Sequence, residues 1–385
     1  MIYLDNSATT PLHPKVKEAI IRAVDLFGNP SSMHTVGRQM RAMVEQNRGD
    51  IADFFHCSPD EIIFTAGASE ANNTVLKSGA TCCAFCSESH GHIITSNIEH
   101  PSVLNTLKCL EHQHIDVTRV KVRKNGIIDP ADIEAAIRPD TIMISVMYVN
   151  NEIGTIQPVK EIAEIARKHG IPMHTDAVQA VGKIPIDLRE LPVDYLSMSG
   201  HKIYAPKGIG VLFKRNSAKK ICPLITGGHQ EKSMRAGTEN TLGILALGEA
   251  VRQAKLEMAE NELRIGALRD RLEHGIVERL DHVSVNGDRK ARTYNITNIS
   301  FENIEGESIL LRLDMHGIAV STGSACSTGS LEPSYVITAL STDPAIAHSS
   351  IRFSLGRDTT EDDIDKTIDA VVETVTFLRK MSPIV

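Results

Sequence analysis

The chain has 385 residues with 41 Lys+Arg against 48 Asp+Glu, a net charge of −7, and 42% of it is hydrophobic. That length suits two domains with ample core, and the composition is too apolar for a disordered chain. Nine Phe, six Tyr and no Trp argue against a base-stacking surface for single-stranded nucleic acid, and the acidic balance argues against DNA as a partner.

The opening MIYLDNSATTP has an acid at position 5 and no Lys or Arg before Lys15, the wrong order for a secretory leader. No apolar run approaches the ~20 residues that span a bilayer. A cytoplasmic protein without membrane contact is expected. In it the seven cysteines (Cys57, Cys82, Cys83, Cys86, Cys109, Cys222, Cys326) would be reduced thiols. EIIFT (61–65) reads as a strand, a small-residue turn follows, and a helix is predicted from about Glu70. TCCAFCSESHGH (81–92) then crowds three cysteines with His90 and His92. A metal ligand set is one reading, but zinc sites space their ligand pairs more widely, so incidental thiols and no metal are expected.

HIITS (92–96) precedes a helix opening near Pro101, and TIMISVMYV (141–149) reads as a nearly continuous strand covered on both faces. Residues 158–169 form an amphipathic helix that Gly170 closes. IPMHTDA, VDYLSMS and GIGVLF are three more short strands. The alternation predicts an α/β fold with a largely parallel sheet. Beyond Thr238, residues 239–280 hold two long helical stretches. A strand (TNISF), a helix (GESILLRLDMHG), a small-residue loop, a strand (SIRFSL) and a C-terminal helix over 360–380 follow. A boundary near 260 is expected, with a smaller α+β unit after it.

The sharpest chemical cluster is VDYLSMSGHKIYAPKGIG, where Lys202 directly follows a strand. Ligands of open α/β sheets bind at the carboxyl ends of strands, and a lysine there suits a Schiff-base nucleophile. Ser199 to Lys202 also spells SxxK, an acylase signature, but its SDN and KTG partners are missing. Asp176 in HTDAVQ ends another strand, as a helix N-cap or as the carboxylate that a cationic ring nitrogen needs. Ala66, Gly67, Ala68 and Ser69 open a helix whose free N–H groups suit a phosphate. Lysine, aspartate and nest together point to pyridoxal 5'-phosphate (PLP).

At these residues the sequence resembles the NifS/IscS-type cysteine desulfurases. YLDNSATTP, FGNPSSMH, FTAGASEANN, SNIEHPSV, VNNEIGTIQP, HTDAVQAVGK, SMSGHKIYAPKGIG, RAGTEN, STGSACSTGSLEPSYV and IRFSLGR follow the family's order over residues 3–357. The resemblance implies a PLP-dependent transferase of fold type I. A large PLP-binding domain would cover 15–260, and a small domain 1–14 with 261–385. It implies that Lys202 carries PLP as a Schiff base, Asp176 pairs with the ring nitrogen, Gln179 bonds the ring oxygen, and His100 stacks on the ring and moves protons. Ala68, Ser69, Ser199 and His201 would hold the phosphate, completed by Thr238 from the other subunit of a homodimer. Asn151 and Arg352 would bind the substrate carboxylate. A guanidinium at a strand start is a credible carboxylate anchor in its own right.

The loop 321–330 (STGS-AC-STGS) has no bulky anchor, which predicts mobility around Cys326. By the resemblance, Cys326 takes sulfur from L-cysteine as a persulfide, L-alanine leaves, and an acceptor such as an iron–sulfur scaffold receives the sulfur. A selenocysteine lyase or another PLP enzyme on the same scaffold is the alternative. The short C-terminus leaves docking to such a scaffold open.

Overall fold

The computed structural model describes residues 1–81, 91–322, 333–341 and 343–381. Cys82, Cys83, Cys86, His90 and the Cys326 loop from residue 323 lie outside the described residues. A seven-stranded sheet runs in the spatial order Ile62–Thr65, Gly210–Lys214, Tyr195–Ser199, Met173–Asp176, Thr141–Ser145, Gly91–Ser96, Ile115–Val120. Pairing is parallel from Tyr195–Ser199 out to Ile115–Val120, while Gly210–Lys214 runs against both of its neighbours.

The continuous apolar runs follow from a sheet covered on both faces. Successive residues of a strand point to opposite sides. Ile62, Phe64, Ile94, Ile144, Leu196, Val211 and Phe213 enter one core, while Ile63, Ile93, Met143, Tyr195 and Leu212 enter another. Close packing shows at Gly210, where a Cβ would sit 2.7 Å from the Gly67 Cα. The small-residue turn after Ile62–Thr65 therefore meets the start of the strand Gly210–Lys214 backbone to backbone.

A further core gathers Leu4, residues of the helix Thr241–Arg279 from Ile265 onward, the antiparallel strands Val283–Val285, Ile296–Phe301 and Ser350–Ser354, and the helices Gly306–Met315 and Glu361–Met381. The N-terminal strand Ile2–Tyr3 pairs with Ile318–Ala319, which ties the start of the chain to this unit.

Three expectations need correction. The strand expected over 141–149 ends at Ser145. Pairing with Gly91–Ser96 ends there because the Met147 N–H bonds the Glu99 carboxylate at 2.9 Å, while on the other edge the Val146 and Tyr148 N–H groups still bond the carbonyl oxygens of His174 and Asp176. The two helical stretches of 239–280 are one helix, Thr241–Arg279, packed in the larger core through Ile244, Leu247 and Val251 and in the smaller through Leu268, Leu272 and Ile276. Gly248 sits inside it without breaking it, and the missing Cβ makes room for Asn47 of the helix Thr35–Phe55, which a side chain there would strike. Among the cysteines, Cys57 and Cys109 are free, but Cys222 is disulfide-bonded and not the reduced thiol expected. Its backbone is clamped to Ser78 Oγ by two hydrogen bonds of 2.8 and 2.9 Å, which fixes its position beside the helix Ala68–Thr81.

Candidate active site

A cavity of about 740 Å³ opens at the carboxyl ends of the parallel strands. Lys202, His100, Asp176, Gln179, Ala68, Ser69, Ser199, His201, Asn151 and Arg352 all line it. Thr238 does not; it sits exposed on the loop before the long helix. The base of that loop is fixed by the buried pair Arg48–Glu231, 2.7 Å apart, whose carboxylate also accepts the Phe64 N–H.

Lys202 ends a 3-10 turn, Gly200–Lys202, directly after Tyr195–Ser199. Its ammonium donates to the carbonyl oxygens of Ser7 and, at 2.6 Å, of Ala8. Asp176 closes its own strand and is 5% exposed. One carboxylate oxygen accepts from Asn72 Nδ2 at 2.7 Å and the other from the Val178 N–H at 3.0 Å.

His100 caps the helix Pro101–Glu111, as an extended residue before proline should. Its Nδ1 accepts the Ser102 N–H at 3.1 Å and lies 2.8 Å from Ser102 Oγ. Burial first, then the Lys202 charge, pull its pKa down against the opposing pull of Asp176. An imidazole so placed is neutral near pH 7 and ready to take a proton. His201 is held neutral still further down, at about 4, by burial and three nearby lysines.

Arg352 lies in the middle of the strand Ser350–Ser354 and not at its start. It is 2% exposed, with one terminal nitrogen 2.7 Å from Asp5 Oδ1 and the other 3.0 Å from the Asn151 carbonyl oxygen. Asp5 was not foreseen as its partner.

The wall fits PLP. The Ser7 hydroxyl, Asn72 Oδ1, Asn151 Oδ1 and Arg352 Nε are buried without a hydrogen-bond partner among the described residues. The first turn of the 14-residue helix Ala68–Thr81 brings its free N–H groups to the same cavity, beside Ser199 and His201. A carboxylate for a ring nitrogen, a phosphate cradle and an amine stand around one space.

Reading the sequence missed Ser7, Ala8, Asn72 and Ser102. Backbone carbonyls leave no sequence signal. Asn72, however, lies one helical turn beyond Ala68 on the face that the nest already marked. Of the possible metal ligands at 81–92 only His92 is described, and Thr141 and Thr118 hydroxyls occupy both its ring nitrogens at 2.9 and 2.7 Å. At Cys57 burial first and then Glu61 push the thiol up to about 12, which disfavours the nucleophilic thiolate.

The aminotransferase class-V family matches residues 2–367. The cysteine desulfurase IscS of Dictyoglomus turgidum is 47% identical over 384 residues, 99% of this chain and 96% of that one. A solved NifS-like protein superposes with a TM-score of 0.91 at 35% identity, over 98% of this chain and all of its own. The structure of SspA in complex with cysteine gives 0.81 at 36% identity, covering 92% and 99%.

Proposed function

We infer the chemistry from the premise that this chain belongs to the aminotransferase class-V family, among its cysteine desulfurases. It is a PLP-dependent enzyme that removes sulfur from L-cysteine and leaves L-alanine. The alternative, a selenocysteine lyase, is not favoured, because the matching relatives carry the desulfurase name. The bound cofactor supplies an electron sink for charge developing at the substrate's α-carbon. L-cysteine plus an enzyme thiol gives L-alanine plus an enzyme persulfide: an S–S bond forms as the C–S bond breaks, and no outside oxidant is needed.

Lys202 is the residue proposed to hold PLP and to move protons with His100. Asp176 is proposed to pair with the ring nitrogen, its oxygens kept in place by Asn72 and the Val178 N–H. Gln179 would bond the ring oxygen, while Ala68, Ser69, Ser199 and His201 hold the phosphate. Arg352 and Asn151 grip the substrate carboxylate in this reading, and Cys326 takes the sulfur. Thr238 of the partner subunit would complete the phosphate site; its exposure away from its own cavity supports a homodimer. A sulfur-acceptor protein, such as an iron–sulfur scaffold, is the proposed recipient of the persulfide sulfur. Among the described residues no helix is long and apolar enough to cross a membrane, and the cytoplasm is the proposed setting.

One observation carries the assignment of roles: Lys202, Asp176 and Arg352 converge on a single cavity from three separate strands. The test is spectroscopic. Protein supplied with PLP should develop a visible absorption band, and borohydride should fix the cofactor covalently to Lys202. A colourless protein, or an adduct on another lysine, overturns the assignment.

A further inference from the structure

Lys183 is buried, 7% exposed, behind the cavity wall, and the proposed chemistry leaves it without a task. Its Nζ lies 3.1 Å from Gln179 Oε1, one helical turn back along the chain. An ammonium has three donors and no acceptor, so the oxygen of the Gln179 amide must face it. At the other end of the amide, Nε2 donates to the Ser7 carbonyl oxygen at 3.0 Å. A carbonyl oxygen only accepts, so the nitrogen must face that side. Two independent partners thus set one orientation, with the NH₂ group toward the residues that hold Lys202. One N–H serves Ser7, and the second is the donor that Gln179 offers to the cavity it lines.

We propose that Lys183 is a positioning residue for the bound cofactor: it locks the Gln179 amide so that an N–H, never the carbonyl oxygen, meets the ring oxygen. This rests on the PLP reading above and deepens it. A donor on the ring oxygen stabilises its anion and loosens that anion's hold on the protonated nitrogen carried by Lys202. The nitrogen therefore loses its proton at lower pH than it would beside a freely flipping amide.

The titratable groups around Lys183 are few. Lys202 repels its charge, and His201 feels it in turn. His13, Glu257, Tyr204 and Tyr294 share with it the walls of a small cavity of about 30 Å³ behind Lys202. Burial first, then Lys202, bring Lys183 down to about 7. Above that pH the neutral amine also carries a lone pair, and the Ser7 carbonyl oxygen, which can only accept, is what keeps the amide nitrogen on its side.

The experiment is a pH titration of the visible band of the PLP-loaded protein. Lys183→Met is expected to raise the midpoint by about one unit, as loss of a hydrogen bond to a charged form should. Gln179→Met should raise it equally, and Lys183→Met added to Gln179→Met should change nothing more, because the lysine acts through the amide. Lys183→Gln keeps an N–H donor without the charge and should stay close to the unaltered protein. An unmoved midpoint in Lys183→Met, or additive shifts in the double variant, overturns the lock. If Lys183→Met does not fold, a Lys183→Gln midpoint equal to that of Gln179→Met overturns it, and one near the unaltered protein supports it. Unaltered protein that gains no visible band refutes the proposed roles themselves; a band with an unmoved midpoint refutes the lock alone.

Discussion

Along one wall of the cavity, Asp176 ends a fully buried strand, while Lys202 and His100 follow within four residues of two others. Along a second wall, Ser7 and Arg352, the latter held by Asp5, come from chain segments that pack with the smaller core, and Tyr335 opens a short helix beyond the cysteine loop. The first wall is rigid because each strand is held by ladders and two apolar faces. The second reaches the site through a few polar contacts: Arg352 with the Asn151 carbonyl oxygen at 3.0 Å, Ser334 Oγ with Glu152 at 2.5 Å, and the Tyr335 hydroxyl with the Glu99 carbonyl oxygen at 2.6 Å. In the proposed reading, cofactor chemistry and substrate anchoring then fall to different parts of the chain. Variants on the first wall should change the rate of chemistry, and variants on the second should change how well L-cysteine is held.

The largest effect belongs to the first wall. Lys202→Ala should lose the visible band and lower alanine formation by on the order of 10³-fold or more, read by single-turnover assay. Next, Arg352→Gln should lower kcat/KM for L-cysteine by about 10²- to 10³-fold, mostly through KM, because a charge-assisted double hydrogen bond is lost. A fall confined to kcat would place Arg352 with the chemistry and break the comparison. His100→Gln should remove the acid limb of the kcat profile. In the unaltered enzyme that limb should lie below about 6.5, since burial lowers the imidazole from its ordinary value. Asp5→Asn should lower KM only a few-fold with kcat unchanged, because less negative charge then competes for Arg352.

The smallest effect concerns the fastening between the walls. Burial raises the Glu99 carboxyl from 4.5 to about 8, although Ser96 Oγ at 2.5 Å and the Met147 N–H favour its ionised form. The folded protein therefore holds a proton there that the unfolded chain releases near 4.5. The stability this contributes is full at low pH and is lost as pH rises from about 4.5 to 8. Glu99→Gln should flatten that fall, so its Tm should gain on the unaltered protein between pH 5 and pH 8 in paired thermal melts.

How far each wall was legible in the sequence follows from the same difference. Lys202, Asp176 and the Ala68–Ser69 nest stand at the ends of apolar runs, and such runs announce buried strands. The end of a run is less legible than its existence. Residues 146–149 are as apolar as 141–145, and pairing with Gly91–Ser96 stops where the distant Glu99 carboxylate captures the Met147 N–H. The second wall was harder to read. Asp5 and Arg352 are 347 positions apart, and the carbonyls of Ser7 and Ala8 that receive the Lys202 ammonium have no side chain to betray them. The long helix was divided in sequence because its apolar face turns from one core to the other, which its composition does not record.

The most direct test supplies PLP-loaded protein with L-cysteine and follows alanine formation together with the mass of the peptide carrying Cys326. The account predicts alanine and one added sulfur on Cys326 that a thiol acceptor removes. Alanine formed at the normal rate with no sulfur on Cys326, or by a Cys326→Ala variant, would contradict it.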